Sequence, residues 1–157
     1  VSLETLMLRK SFVNKLSYAF DPDFSFIADF DLVLRVAKIS KLAICKEVLA
    51  KWRVHNKSDS WQSPISFALE KEKWIKKQAL EDPMFVLNYQ NELSELHKKN
   101  FRSMAISYIL MKQRLDGFRA IINNKPYSFN DYKVIILCFM PFSRQLILLL
   151  QKRKALS

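Results

Sequence analysis

The apolar residues of this chain recur at a helical spacing over most of its length. Leu32, Val36 and Ile39 fall on one side of a helix, which predicts a helix from about residue 29 to residue 39. From residue 63 onward the helical period continues almost without interruption. The pattern therefore favours a chain that is mostly α-helical.

The second half is predicted to be a series of six helices. Pro64 and Pro83 suit first-turn positions, because the N–H that proline lacks would have no partner there. Asp82 is a good N-cap for the helix that follows it. The expected helices lie near residues 64–80, 82–98, 99–115, 116–124, 128–139 and 142–154.

The first third is predicted to contain a few short strands. Residues 3–8 (LETLML) form an apolar run of strand length, and residues 42–55 (LAICKEVLAKWRVH) alternate around a turn at Lys46 and Glu47. The segment YAFDPDFSFI, before the helix at residue 29, is predicted to be a loop. Asp21-Pro22-Asp23 has the D-x-D form of a metal motif, but within this aromatic loop we interpret it as a turn.

Composition supports a largely helical chain that is long enough for one domain with a hydrophobic core. The chain has 157 residues, half of them apolar, and Gly117 is its one glycine, which disfavours all-β folds and phosphate-binding glycine loops. Cys45 and Cys138 lie in apolar runs, so we expect two buried free thiols. The sequence starts at Val1 without a signal-peptide pattern, and we expect it to be a fragment.

Two aspartates in the stretch IADFDLVLRVAK are candidate functional residues. Asp29 stands where an N-cap is expected, and Asp31 lies in the first turn, where the helix dipole favours negative charge. Capping is the commoner role for such residues, while catalysis requires a carboxylate that faces a cleft. A loop-to-helix junction is compatible with both roles.

The order of short segments resembles the later part of the catalytic domain of family 2 glycosyltransferases. An apolar strand with Arg9-Lys10 precedes AFDPDF, then IADFDLVLRVAK, and then a strand that ends in WRVHNKSDS. In that family, a segment of the type "aEDyDLwlRla" precedes a strand that ends in "yRvH". The resemblance covers residues 3–62 and implies the C-terminal part of an α/β GT-A domain (residues 1–62), followed by a helical accessory region with a basic apolar tail (residues 63–157).

The resemblance also implies roles for individual residues. Asp29 matches the catalytic base, whereas Ala28 stands where many members of the family have glutamate. The residues that match substrate-binding positions are Asp31, Arg35 and Arg53, and His55 matches a position that binds metal in some relatives. The implied reaction transfers a sugar from a nucleotide sugar to a glycan or a lipid-linked acceptor. A divalent metal, Mg²⁺ or Mn²⁺, is implied for the parent enzyme, with the main metal motif outside this chain, so we expect the fragment alone to be inactive.

Positive charge is concentrated near the C-terminus. Of a net charge of +11, most comes from residues 98–157, which hold twelve Lys and Arg against two Asp and Glu. Residues 134–150 are the most apolar stretch, but Pro141 and Arg144 interrupt it, so we do not expect a transmembrane span. The pattern suits an interfacial helix on an anionic membrane, and it also suits a helix packed on the catalytic domain.

These features predict a cytoplasmic protein, peripheral at the inner face of the cell membrane. A basic helical module for nucleic acid is the alternative, and we consider it unlikely because no recognised nucleic-acid-binding motif is present. A membrane-associated structural protein in which Asp29 only caps a helix is a third hypothesis.

Overall fold

The structure is a computed structural model that describes residues 5–50, 63–123, 125 and 127–156, with side chains described as far as Gln151. The chain divides into two compact units, residues 1–63 and residues 64–157. Each unit is described by itself below.

The first unit contains two helices within its described residues. Helix α1 is a single turn, Lys10–Val13, and helix α2 is Ala28–Ala37. Leu32 and Val36 of α2 are buried, as the helical spacing predicts, together with Phe24 and Ile27 from the segment that leads into the helix. Ile39 was expected on the same face, but the helix ends before it and its side chain is 44% exposed.

The predicted strands are absent from the described part of the first unit, and the prediction of a GT-A α/β fragment is wrong. Residues 5–9 and 41–50 form no strand, and the apolar side chains of residues 42–49 are exposed. A strand requires a neighbour for its N–H and C=O groups, and among the described residues no strand pairs with these segments. Residues 3–4 and 51–55, the rest of the predicted strands, lie outside the described residues.

The second unit is a helical bundle. Its helices are α3 (Pro64–Glu81), α4 (Pro83–Asn88), α5 (Gln90–Leu110), α6 (Arg114–Ile122), α7 (Phe129–Phe139) and α8 (Ser143–Leu156). The Asp82 cap is confirmed, since its Oδ1 accepts a hydrogen bond of 3.0 Å from the Phe85 N–H. The break predicted between residues 98 and 99 is wrong, because α5 runs through it as one long helix.

Helix α5 is the centre of this bundle and packs against each of its other five helices. One group of buried residues joins α5 to α6 and α7 through Ala105, Ile121 and Val134. A second group joins α5 to α7 and α8 through Ile109, Cys138 and Ile147. Burial raises the pKa of the Cys138 thiol, because a thiolate would lose its hydration there.

The two cysteines differ in environment. The prediction of a buried thiol is confirmed for Cys138 and wrong for Cys45, which is exposed. Cys45 lies in one of the predicted strands, and without a paired strand nothing in the described residues covers it.

A buried polar network holds the start of α7 against α5. Ser128 and Asp131 form a capping box, in which the Asp131 carboxylate accepts from the Ser128 N–H at 2.7 Å. Arg102 of α5 donates to the Ser128 Oγ at 3.0 Å and lies 3.5 Å from the fully buried Asp131 carboxylate. The burial of Asp131 is therefore compensated by the Arg102 cation and by the N–H and hydroxyl groups of Ser128.

The chain breaks between α7 and α8 at Pro141. Met140 is extended (φ −75°, ψ 129°), as expected for a residue that precedes proline, and α8 begins two residues after the proline. The apolar stretch of residues 134–150 is therefore divided between two helices. Within the described ranges, none of the helices combines the length and apolar character that crossing a membrane requires.

Helices α5 and α6 approach closely at Gly117. A Cβ atom added to this glycine would lie 2.9 Å from the Ala105 carbonyl oxygen, a backbone atom that cannot move independently.

Gly117→Ala should therefore lower the free energy of unfolding by about 1–3 kcal/mol, although alanine is the better helix former. Thermal and urea unfolding measure the change. Leu115→Ala, an exposed substitution in the same helix, is the control, and equal stability of Gly117→Ala and the parent would contradict the close approach.

Candidate functional site

The candidate catalytic aspartate lies in the first turn of α2. The helix begins at Ala28 and its N-cap is Ile27, which makes no side-chain capping bond. Asp29 was predicted from the sequence to be the N-cap. It is instead the second residue of the helix. Ile27 is buried to 1% exposure, and the N-cap of the helix lies at this residue, two positions before Asp29.

The Asp29 carboxylate is bonded on one side and open on the other. Its Oδ1 accepts a hydrogen bond of 2.8 Å from the Phe30 N–H, and this is its one hydrogen bond to the described residues. The side chain is partly exposed. Within the described residues, no hydrogen-bond donor reaches the second oxygen of this carboxylate.

Asp31 and Arg35 form an ion pair along the buried side of α2. Asp31 is 2% exposed, and its Oδ2 accepts from the Arg35 Nε at 2.8 Å. The pair is spaced four residues apart on one helix face, which brings the two side chains together. A buried carboxylate that is paired in this way is a structural element of the unit.

The remaining donors of Arg35 hold the preceding loop. Its Nη1 donates to the Tyr18 carbonyl at 2.7 Å and its Nη2 donates to the Ala19 carbonyl at 2.8 Å. The guanidinium carbon also lies 4.7 Å from the centre of the Tyr18 ring, at cation–π distance. One side chain thus connects the loop at residues 18–19 to the helix that carries Asp29.

The Asp21-Pro22-Asp23 segment is a turn, as the sequence predicted. The Asp21 Oδ1 accepts from the Asp23 N–H at 2.9 Å, and its Oδ2 accepts from the Tyr18 hydroxyl at 3.0 Å. Both oxygens of the buried Asp21 are therefore hydrogen-bonded within the loop. This geometry stabilises a compact loop next to Arg35 and does not direct two carboxylates towards one cation.

Two predicted site residues and the predicted metal site were not found near Asp29 within the described residues. Arg53 and His55 lie outside the described residues. In the ranges that the structure describes, no three His, Cys, Asp or Glu side chains are grouped as a metal would require. The substrate-binding roles of Asp31, Arg35 and Arg53 and the metal-binding role of His55 stay predictions.

The contribution of the loop carbonyls was not predicted from the sequence. The Tyr18 and Ala19 carbonyl groups fix the position of Arg35, and backbone carbonyls leave no signature in the residue types. The signal that could have been used is the loop's proximity in sequence to the D-L-x-x-R segment that begins at Asp31.

Searches of protein families, curated proteins and solved structures gave no match to this chain. The resemblance to family 2 glycosyltransferases therefore depends on its short motifs alone. What the structure adds is the geometry of Asp29, Asp31 and Arg35.

The structural role of Arg35 can be tested by Arg35→Lys. Lysine keeps the charge, but its single ammonium cannot reach the Asp31 carboxylate and both loop carbonyls in the geometry of a guanidinium. We expect the substitution to lower the free energy of unfolding by about 1–3 kcal/mol, measured by urea unfolding. Arg9→Lys, an exposed change in the same unit, is the control and should alter stability little. An unchanged midpoint for Arg35→Lys would show that the three bonds contribute nothing.

Proposed function

We propose that this chain is part of a glycosyltransferase that transfers a sugar from a nucleotide sugar to a glycan or lipid-linked acceptor. Asp29 is the catalytic base in this proposal. The proposal concerns the reaction and not a GT-A fold, since the described residues contain no sheet.

The open oxygen of Asp29 is the observation on which the proposal depends. A general base needs a free lone pair within hydrogen-bond reach of the acceptor hydroxyl. The Phe30 N–H occupies one oxygen of Asp29 and fixes the carboxylate, while the second oxygen remains available for an acceptor. Among the acidic side chains of IADFDLVLRVAK, Asp31 is buried and paired, so Asp29 is the better candidate.

The proposed step is an inverting displacement. The acceptor hydroxyl oxygen attacks the anomeric carbon and forms the new C–O bond, while Asp29 takes the hydroxyl proton. The bond between the anomeric carbon and the diphosphate oxygen breaks, and the nucleoside diphosphate leaves with the electron pair. A divalent metal would offset charge on the leaving diphosphate, but the described residues do not supply a ligand set, so no step is assigned to it.

Asp31 and Arg35 act as positioning residues in this proposal. Their ion pair and the bonds from Arg35 to the Tyr18 and Ala19 carbonyls hold the loop that precedes α2 against this helix. If the Asp29 carboxylate were displaced, the rate of sugar transfer would fall steeply, because proton transfer and attack on the anomeric carbon both require close alignment. The substrate-binding role expected for Arg35 would need donors beyond those used in these bonds.

Asp29→Asn tests the catalytic assignment in the full-length gene product. Asparagine keeps the size of the side chain and can still accept from the Phe30 N–H, but it cannot take the acceptor proton. Transfer from a panel of uridine and guanosine diphosphate sugars should fall by roughly 10²-fold or more. The melting temperature should change little.

Asp31→Asn is the matched comparison. It removes the charge from the buried ion pair, so it should lower the melting temperature as well as the rate. Glu95→Gln, which changes an exposed carboxylate of the second unit, should leave both unchanged. Equal turnover by Asp29→Asn and the parent protein would remove Asp29 from the reaction. Absence of transfer with every donor would contradict the proposed activity itself.

A further inference from the structure

A groove lies at one end of the helical bundle, where α5 ends, α6 begins and the α7–α8 turn packs against them. Its volume is about 550 Å³, and its polar lining is formed mainly by Lys112, Gln113, Arg114, Arg144 and Gln145. Ile109 and Pro141 contribute apolar surface. Three cations therefore surround one concave surface.

The two arginines are held in place by backbone carbonyls. The Arg114 Nη2 donates to the Pro141 carbonyl at 2.8 Å, and the Arg144 Nε donates to the Leu110 carbonyl at 3.0 Å. A guanidinium has five N–H donors, so each arginine keeps most of its donors for another acceptor. Neither arginine forms an ion pair with a carboxylate of the described residues.

The groove has little negative charge of its own. Asp116 is the carboxylate in its lining, and its Oδ1 already accepts from Arg119 at 3.0 Å. Helix α6 begins at the groove, and its N-cap Gln113 makes no side-chain capping bond. The partial positive charge of the helix start therefore adds to the three cations.

Lys112 occupies a position where glycine is the usual residue. It has a φ of 65°, and its N–H donates to the Ile109 carbonyl at 3.0 Å while the next N–H, of Gln113, donates to the Tyr108 carbonyl at 2.8 Å. These bonds form a Schellman motif at the end of α5, and its left-handed residue is most often glycine. A lysine there strains the backbone, and such strain is found where the side chain has a use.

Exposed apolar side chains follow the groove along α8. Ser143 and Ile147 face the bundle, whereas other apolar side chains of the helix are exposed: Leu146, Leu148, Leu149 and Leu150. Phe142, in the turn just before α8, is 70% exposed, and Leu149 of the helix is 59% exposed. Exposed apolar side chains next to a group of cations are typical of a helix that binds at a membrane interface.

We propose that this groove binds the phosphate group of an anionic membrane lipid while the exposed face of α8 contacts the acyl region. Lys112, Arg114 and Arg144 are the ligands of the phosphate oxygens. The proposal is independent of the sugar transfer assigned to Asp29, because lipid binding requires no nucleotide sugar and no residue of the first unit.

The combination of charge and apolar surface favours a lipid over other anions. A free phosphate would use the cations but not Phe142 or Leu149. Nucleic acid would also leave the apolar face exposed to water. A second copy of the chain could cover that face, but it would bring two groups of cations together without a compensating charge.

The first test measures the partition of the full chain onto vesicles of phosphatidylcholine, with and without phosphatidic acid. The parent should bind only the vesicles that contain phosphatidic acid. Arg114→Gln combined with Arg144→Gln should weaken binding by about 10–30-fold, since two basic residues at an anionic surface are lost. Lys76→Gln combined with Lys99→Gln removes the same charge from exposed positions outside the groove and should weaken binding much less.

Lys112→Gly separates binding from folding. Glycine relieves the left-handed strain, so the melting temperature should rise. The loss of the ammonium should nevertheless weaken vesicle binding about fivefold. A residue with only a structural role would not produce opposite changes in these two measurements.

The apolar part of the proposal is tested by Phe142→Ser. This side chain is exposed, so stability should change little, while vesicle binding should fall about tenfold because the phenyl ring no longer enters the membrane.

Four outcomes would overturn the proposal. The first is an equal loss of vesicle binding in the groove variants and the Lys76/Lys99 control. The second is tight binding of inorganic phosphate to the groove with no vesicle binding. The third is binding of duplex DNA that the groove variants abolish while vesicles are ignored. The fourth is a dimer in solution that Phe142→Ser dissociates, again without vesicle binding.

Discussion

The helical unit depends on the close approach of α5 and α6 at Gly117. Because the Ala105 carbonyl leaves no room for a side chain there, the two helices are packed nearly backbone to backbone, and the turn that joins them is short. That turn requires the left-handed conformation of Lys112. The same constraint therefore determines the packing of the bundle and places Lys112 and Arg114 at the edge of one groove.

Arginine side chains bonded to backbone carbonyls occur in both units, with different consequences. Arg35 donates to two loop carbonyls and pairs with the buried Asp31, so its charge is neutralised inside the unit. Arg114 and Arg144 each donate to one carbonyl and face a groove without a free carboxylate. The first arrangement stabilises a local fold, whereas the second leaves the charge of both arginines at the surface of the groove.

Local signals in the sequence predicted the helical unit well and the first unit poorly. The Asp82 cap and the break at Pro141 follow from single residues that act on their neighbours, and both are present. The strands around Cys45 depended on a distant partner, which alternation in one segment cannot specify. Asp29 was predicted as the N-cap of α2 and lies two positions further into the helix. The carbonyl partners of Arg35 were not predicted, because backbone groups are the same at every position.

The contrast between the two cysteines allows local opening of the bundle to be observed. Cys138 joins α5, α7 and α8 in one buried group, and its thiol is kept protonated, so it reacts with alkylating reagents only when these helices separate. Cys45 is exposed, so we expect it to react without any opening of the bundle. In one molecule, the alkylation rate of Cys45 therefore serves as a reference for the reagent, and the alkylation rate of Cys138 reports how often α8 separates from the bundle.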